Sequence, residues 1–174
     1  MDIVITDEDF GLKSVEFKNP RKRLGARGII RNNTGMIAIL HKKKMNEYKL
    51  PGGGIDEGED PAEAFKREAL EETGCNIRIV SKFGTIVENK TLDNFTQTSY
   101  VFLASVVKDN KVLNLTDREK EEGSELLWIS PNDALKLIEE SFDKLVPSKY
   151  ENTYHSKFIA LRDKKILEYY LEVY

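Results

Sequence analysis

Residues 67–74, REALEETG, set Glu68, Glu71 and Glu72 beside Arg67. On a helix these glutamates lie one turn apart, and each like-charge pair at that spacing costs a few tenths of a kcal/mol. With about 100° per residue, Ala62, Phe65 and Ala69 fall within roughly 60° of one another as an apolar stripe. The three glutamates occupy a neighbouring arc of roughly 100°, and only Ala64 shares it, so nothing bulky covers them. Three carboxylates beside a core stripe have two ways to persist: some take up protons, or a cation joins them. Oxygen-only donors favour Mg²⁺ or Mn²⁺, with Ca²⁺ less suited to a rigid helix face. Mg²⁺ is usually held by one or two carboxylates together with substrate phosphate oxygens, so the chemistry in view is metal-assisted work on a phosphate. The plainer alternative is that glutamate is a good helix former on a wet face. The preceding PGGGIDEGE weighs against it, because glycine backbone lets a phosphate or metal come close.

The elements that must position this cluster are readable around it. In DPAEAFKREALEET, Asp60 is the N-cap, Pro61 takes the first helical position, Glu63 lies three residues after the cap, and Gly74 stops the helix. LGARGIIR (24–31) and MIAILHK (36–42) are β-rich runs flanking NNTG, which predicts a hairpin. LPGGG is expected neither to continue a strand nor to start a helix. Residues 76–90 and 95–107 read as long strands joined by TLDN, 125–130 as a short strand, 131–141 as a second helix, and 151–174 as a third helix or helix pair. TDREKEEGSE reads as an acidic loop. Strands and helices alternate irregularly, so the expected architecture is a mixed sheet covered by helices.

The chain as a whole sets bounds. Its 174 residues, 40% hydrophobic and 33% charged, suit one folded domain with a sizeable core. The expected division is a single domain over 1–174, with an N-terminal extension (1–23) and a C-terminal helical segment (142–174). Net charge is −3, which gives little ground for a nucleic-acid partner. From Pro51 to Cys75 eight acids face two bases, so that stretch carries −6 and the remainder +3. The single cysteine, Cys75, forms no intramolecular disulfide and fits a reducing, cytoplasmic setting. No secretory signal and no long apolar run is present, so no membrane association is expected.

Gly53, five residues, Glu59, seven residues, and then REALEETGC (67–75) follow the pattern of the Nudix (MutT-like) hydrolase family, which this chain resembles. All seven fixed positions across these 23 residues are met. Cys75, a small hydrophobe, takes the last apolar slot. YKLPGG resembles the family's lead-in, with Tyr48 where tryptophan is common, and ELLWIS with PNDALKLI resembles its later strand and helix. The resemblance covers about residues 24–140. It implies an α/β/α sandwich around a mixed β-sheet, with the box as loop–helix–loop. It implies Mg²⁺- or Mn²⁺-dependent hydrolysis of a nucleoside diphosphate linked to another group: a nucleoside triphosphate, ADP-ribose or a nucleotide sugar. A family-fold binding or regulatory module without turnover is the alternative, which an eroded box would favour.

By position, Glu68, Glu71 and Glu72 resemble the metal-binding carboxylates, and the carbonyl of Gly52 or Gly53 is a further candidate ligand. Arg67 and Glu59 resemble the pair that braces the helix and orients those carboxylates, and Gly74 closes the box. The general base resembles Glu68 in some relatives and a loop acid in others; here Glu122 is chosen, with Glu119, Glu121 and Glu125 as competitors. Arg27, rather than Arg23 or Arg31, is the arginine expected to meet phosphate, with Gly53 nearby. His41 and His155 lack partners at ligand spacing. Tyr48, Phe95 and Tyr100 could stack on a base, though each is more often core. The expected partner is a small nucleotide, with a homodimer possible.

Overall fold

The computed structural model describes residues 1–174. One mixed sheet carries it, built from β1 (Asp2–Ile5), β2 (Arg21–Arg31), β3 (Ile37–Lys42), β4 (Glu47–Lys49), β5 (Gly52–Gly54), β6 (Cys75–Lys90), β7 (Phe95–Asp109) and β8 (Ser124–Ile129). The main path runs β1-β6-β7-β2-β3-β4, with β5 added to β2 and β8 to β3. β2 runs parallel to β7, from Arg21 opposite Phe95 to Arg31 opposite Ser105. β6 and β7 form the expected long antiparallel pair. The helices are α1 (Pro61–Thr73), the short α2 (Asp117–Glu121), α3 (Pro131–Ser141) and α4 (Thr153–Val173).

Alternation along the strands separates two cores. Even-numbered β2 and β7 residues such as Ala26, Ile30, Phe102 and Ala104 pack with Ala64, Phe65 and Ala69 of α1. Odd-numbered ones such as Ile29, Val101 and Leu103 pack with Ile138 of α3 and with Phe158, Ile166 and Leu167 of α4. Period-2 alternation on a sheet covered on both faces gives the α/β/α sandwich.

Several expectations are corrected. Gly52–Gly54 does form a strand, pairing antiparallel with Gly25–Arg27. Only glycine fits there, because Gly52 has φ +137° and a Cβ on it would lie 2.4 Å from the Ala26 carbonyl oxygen. β2 begins at Arg21, three residues earlier than its apolar pattern suggests. Inside the loop read as TDREKEEGSE lies α2, where Thr116 caps the backbone N–H of Glu119. Within the N-terminal extension, β1 pairs parallel with β6 at Thr85–Glu88. No helix is long and apolar enough to cross a membrane.

Candidate active site

Asp60 caps α1 as expected, its carboxylate accepting from the N–H groups of Ala62 and Glu63. The face α1 buries is displaced from the expected stripe. Ala64, Phe65, Ala69 and Glu72 are buried, whereas Ala62 is only partly so. Glu72 therefore belongs to the packed face of the helix and does not lie beside it. Glu68 lies against β5, where a Cβ on Gly53 would come within 2.4 Å of the Glu68 carboxylate. The side chain of Glu71 remains 39% exposed, at the rim.

Arg67 ties these groups together. Its Nε and Nη2 donate to the two Glu59 oxygens at 3.0 and 2.9 Å. Nη2 also donates to the Gly54 carbonyl at 3.0 Å, and Nη1 to Glu68 at 2.8 Å. The Arg67 guanidinium, and then the Asp56 N–H at 3.0 Å, hold the Glu59 carboxyl down at about 2. On the buried side, Lys49 Nζ donates to Glu72 Oε1 at 2.9 Å and the Gly52 N–H to Oε2 at 2.7 Å. Burial pushes the Glu72 carboxyl up, with Lys49 pulling against it. Burial, then Glu68, push Glu71 up as well.

Two protein cations, Lys49 and Arg67, supply charge against the repulsion, while the carboxyls of Glu71 and Glu72 are raised. The donor set suits a hard divalent ion, being all oxygen and partly desolvated. With Lys49 and Arg67 engaged, the carboxylates do not converge on one point, and no cluster of three acidic, His or Cys side chains is arranged to hold a metal. Gly52 meets the cluster through its N–H.

Glu68 and Glu72 open onto a cavity of about 670 Å³. Only three of its 24 lining residues are hydrophobic, and nine are Lys or Arg against five Glu. Arg27 is there, buried, with Nε donating to Ser99 at 3.1 Å. Glu122 also lines the cavity, but in a different setting from the one expected of a base. It is buried and bound by Lys42 at 3.1 Å, Arg118 at 3.1 Å and the Ser148 hydroxyl at 3.0 Å. Despite its burial, Lys42 and these donors hold its carboxyl below the ordinary range. Glu119, on the first turn of α2, also lines the cavity; the Thr116 hydroxyl and N–H, each at 2.8 Å, hold its carboxyl below the ordinary range against its burial, with Lys49 and Glu72 acting on it as well. Of the aromatic candidates only Phe95 reaches the cavity. Its ring is covered by Arg21 at 4.8 Å and stacked on His155 at 6.0 Å, so it offers no free face.

Comparison with known proteins decides the family. The model of the NUDIX domain matches residues 21–151. The chain belongs to the NUDIX family. A Bacillus subtilis (strain 168) protein named provisionally as an 8-oxo-dGTP diphosphatase is 33% identical over 107 residues, 62% of this chain and 66% of that protein. An RNA pyrophosphohydrolase of Sulfurovum sp. (strain NBC37-1) is 54% identical over 47 residues, 26% of this chain and 30% of that protein. The chain thus spans just under two thirds of the first relative and under a third of the second. Among solved structures, the MutT protein from Methanosarcina mazei Go1 superposes with a TM-score of 0.52 at 22% identity, covering 85% of this chain and 97% of that one. A UDP-X diphosphatase gives 0.54 at 16% identity, covering 91% and 66%. At these identities the likeness is one of fold.

Around this NUDIX box lie residues the sequence reading passed over. Lys49 holds Glu72, and its place in YKLPGG, one residue before the buried Leu50, is the signal that could have found it. Arg162 and Asp163 come from α4, beyond the matched span, yet Asp163 accepts the Leu50 N–H at 2.8 Å. Mid-helix charges read as solvated in a sequence, so nothing there marked this pair.

Proposed function

We propose that the chain is a divalent-metal-dependent pyrophosphohydrolase that cleaves a nucleoside diphosphate linked to another group. The observation that carries this reading is Glu68 and Glu72, turned into a polar cavity and held there by Arg67, Glu59, Lys49 and the Gly52 N–H. Glu68, Glu71 and Glu72 would hold Mg²⁺ or Mn²⁺, with the Gly52 carbonyl as a further oxygen donor. Such an ion neutralises pyrophosphate charge and lowers the pKa of bound water.

The chain's own groups supply positioning and electrostatics, which dominate phosphoryl chemistry. Arg67 and Glu59 fix the Glu68 rotamer. Gly53 leaves room for that carboxylate beside the strand. Arg27 offers a guanidinium to a phosphate oxygen. A proton from water goes to Glu68 or to a loop carboxylate, and among the loop acids the setting favours Glu119. Glu122 is engaged by Lys42 and Arg118 and serves better to anchor α2. The names of the relatives support polyphosphate substrates, and an RNA 5′-triphosphate end presents the same linkage. The test is a hydrolysis screen with Mg²⁺ over nucleoside triphosphates, ADP-ribose, nucleotide sugars, dinucleoside polyphosphates and a 5′-triphosphorylated oligonucleotide. Mg²⁺-dependent release of phosphate, pyrophosphate or a nucleotide product from at least one supports the reading. No hydrolysis of any would favour a binding module without turnover.

A further inference from the structure

On the α4 side of the sheet, the rows formed by odd-numbered β2 and β7 residues and even-numbered β6 residues change character along their length. Ile29, Val101 and Ile86 belong to the core. The same face then continues as Arg27, Ser99, Gln97, Glu88 and Lys90, and α4 lays Arg162 over it. Arg162 is 1% exposed and lines the cavity. Its Nε donates to Asp163 at 2.7 Å and its Nη1 to Glu88 at 3.2 Å. Its Nη2 has no partner. A buried guanidinium nitrogen without an acceptor is costly and calls for an explanation.

The surroundings share the deficit. Arg27, Lys90 and Arg162 are all buried, and only two buried carboxylates, Glu88 and Asp163, face them. The next acid, Glu151, is already taken by Lys42 at 3.5 Å and Arg118 at 2.6 Å. Burial, and then Arg162, push the Arg27 guanidinium down to about 10. Farther along β2, Arg23 and Arg21 line the same cavity, Arg21 over the Phe95 ring. From Arg27 to Arg21 this row spans about 20 Å at strand rise.

We propose that Arg162, with Arg27, forms an oxyanion subsite for a phosphoryl group additional to the cleaved linkage, so that the enzyme selects chains of three or more phosphates over nucleotide sugars. The proposal rests on the pyrophosphohydrolase reading for its substrate class. A sugar hydroxyl can accept from Nη2 as a phosphate oxygen does, but only the negative phosphate also balances the third cation, and its hydrogen bond is charge-assisted on both sides. Arg162 is a fork-shaped donor that lysine does not reproduce.

The test uses the full chain in EDTA, with inorganic tripolyphosphate as probe at fixed ionic strength and calorimetry as readout. Wild type binds tripolyphosphate without metal. Arg162→Met weakens binding at least tenfold, and Arg162→Lys, which keeps the pairing with Asp163 and Glu88, weakens it severalfold. With Mg²⁺, Arg162→Lys raises KM for a nucleoside triphosphate more than kcat falls, and by a larger factor than it raises KM for a nucleotide sugar. No binding by wild type in EDTA overturns the proposal. So does wild-type affinity in Arg162→Lys, a comparison that decides the matter even if Arg162→Met fails to fold. Binding in EDTA is independent of turnover, so an absence of hydrolysis would count against the enzymatic reading and leave the subsite standing.

Discussion

Gly53 shows how one absent carbon shapes the site. A Cβ there would lie 2.4 Å from the Glu68 carboxylate, so Gly53→Ala must push Glu68 aside. A displacement of about 1 Å near the reacting atoms costs on the order of 10²-fold in rate. We expect that loss in kcat/KM with the far-UV spectrum unchanged; near-normal turnover would remove Glu68 from its role. Glu59 gives a pH signature. Arg67 lowers its carboxyl from the ordinary 4.5 to about 2. A depressed carboxylate stabilises the fold above its unfolded pKa, and that contribution disappears as pH falls through the folded one. The stability difference between wild type and Glu59→Gln should therefore be constant above about pH 5 and shrink between pH 4.5 and 2. Urea midpoints across that range provide the measurement, and a gap unchanged down to pH 2 would contradict the brace.

Among the elements, α1 was the most legible, because its cap, proline, glutamate spacing and stop all appear in consecutive residues. The long β6–β7 pair was legible for a similar reason: two β-rich runs flank a short turn. β5 was not. Three glycines carry no side-chain pattern, and only the close approach of β2 makes them a strand. The burial of Glu72 is not legible either, because periodicity puts an acidic arc beside the core stripe and leaves unstated that Lys49 pairs with it from β4. β1 and the turn after it depend on long-range partners. Asp7, fully buried, accepts from the Thr91 N–H at 3.1 Å, the Thr91 hydroxyl at 2.5 Å and the Tyr154 hydroxyl at 2.5 Å, joining the N-terminal segment to the turn after β6 and to α4. Asp7→Ala leaves those donors unmatched, at about 1–3 kcal/mol for such a buried group. A lower denaturation midpoint with retained Mg²⁺-dependent hydrolysis is expected; no change in midpoint would mean that the strap is not anchored there.

At the scale of the molecule, the acid of α1 and the basic cavity wall form one charge-separated site in a chain whose net charge is only −3. Net charge hid this, because the wall draws its cations from β2, β3, β4, β6 and α4 as well as the α2 turn, segments far apart in sequence. A cationic cavity attracts polyphosphate through solvent, and salt screens that attraction over about 10 Å at 0.1 M. KM for an anionic nucleotide should therefore rise as NaCl is raised from low to physiological levels, with a smaller change in kcat; a salt-independent KM would argue against the basic wall as substrate contact. If the carboxylates of α1 support metal-assisted cleavage, Glu72 is the residue whose replacement must show it. The measurement is an Mg²⁺ titration of nucleotide hydrolysis by wild type and Glu72→Gln, starting from EDTA-treated protein with the fold monitored by circular dichroism. Wild type should be silent in EDTA and activated by Mg²⁺, while Glu72→Gln, still folded, should lose turnover by orders of magnitude at every Mg²⁺ concentration. Hydrolysis that persists in EDTA, or a folded Glu72→Gln with near wild-type turnover, would contradict the account.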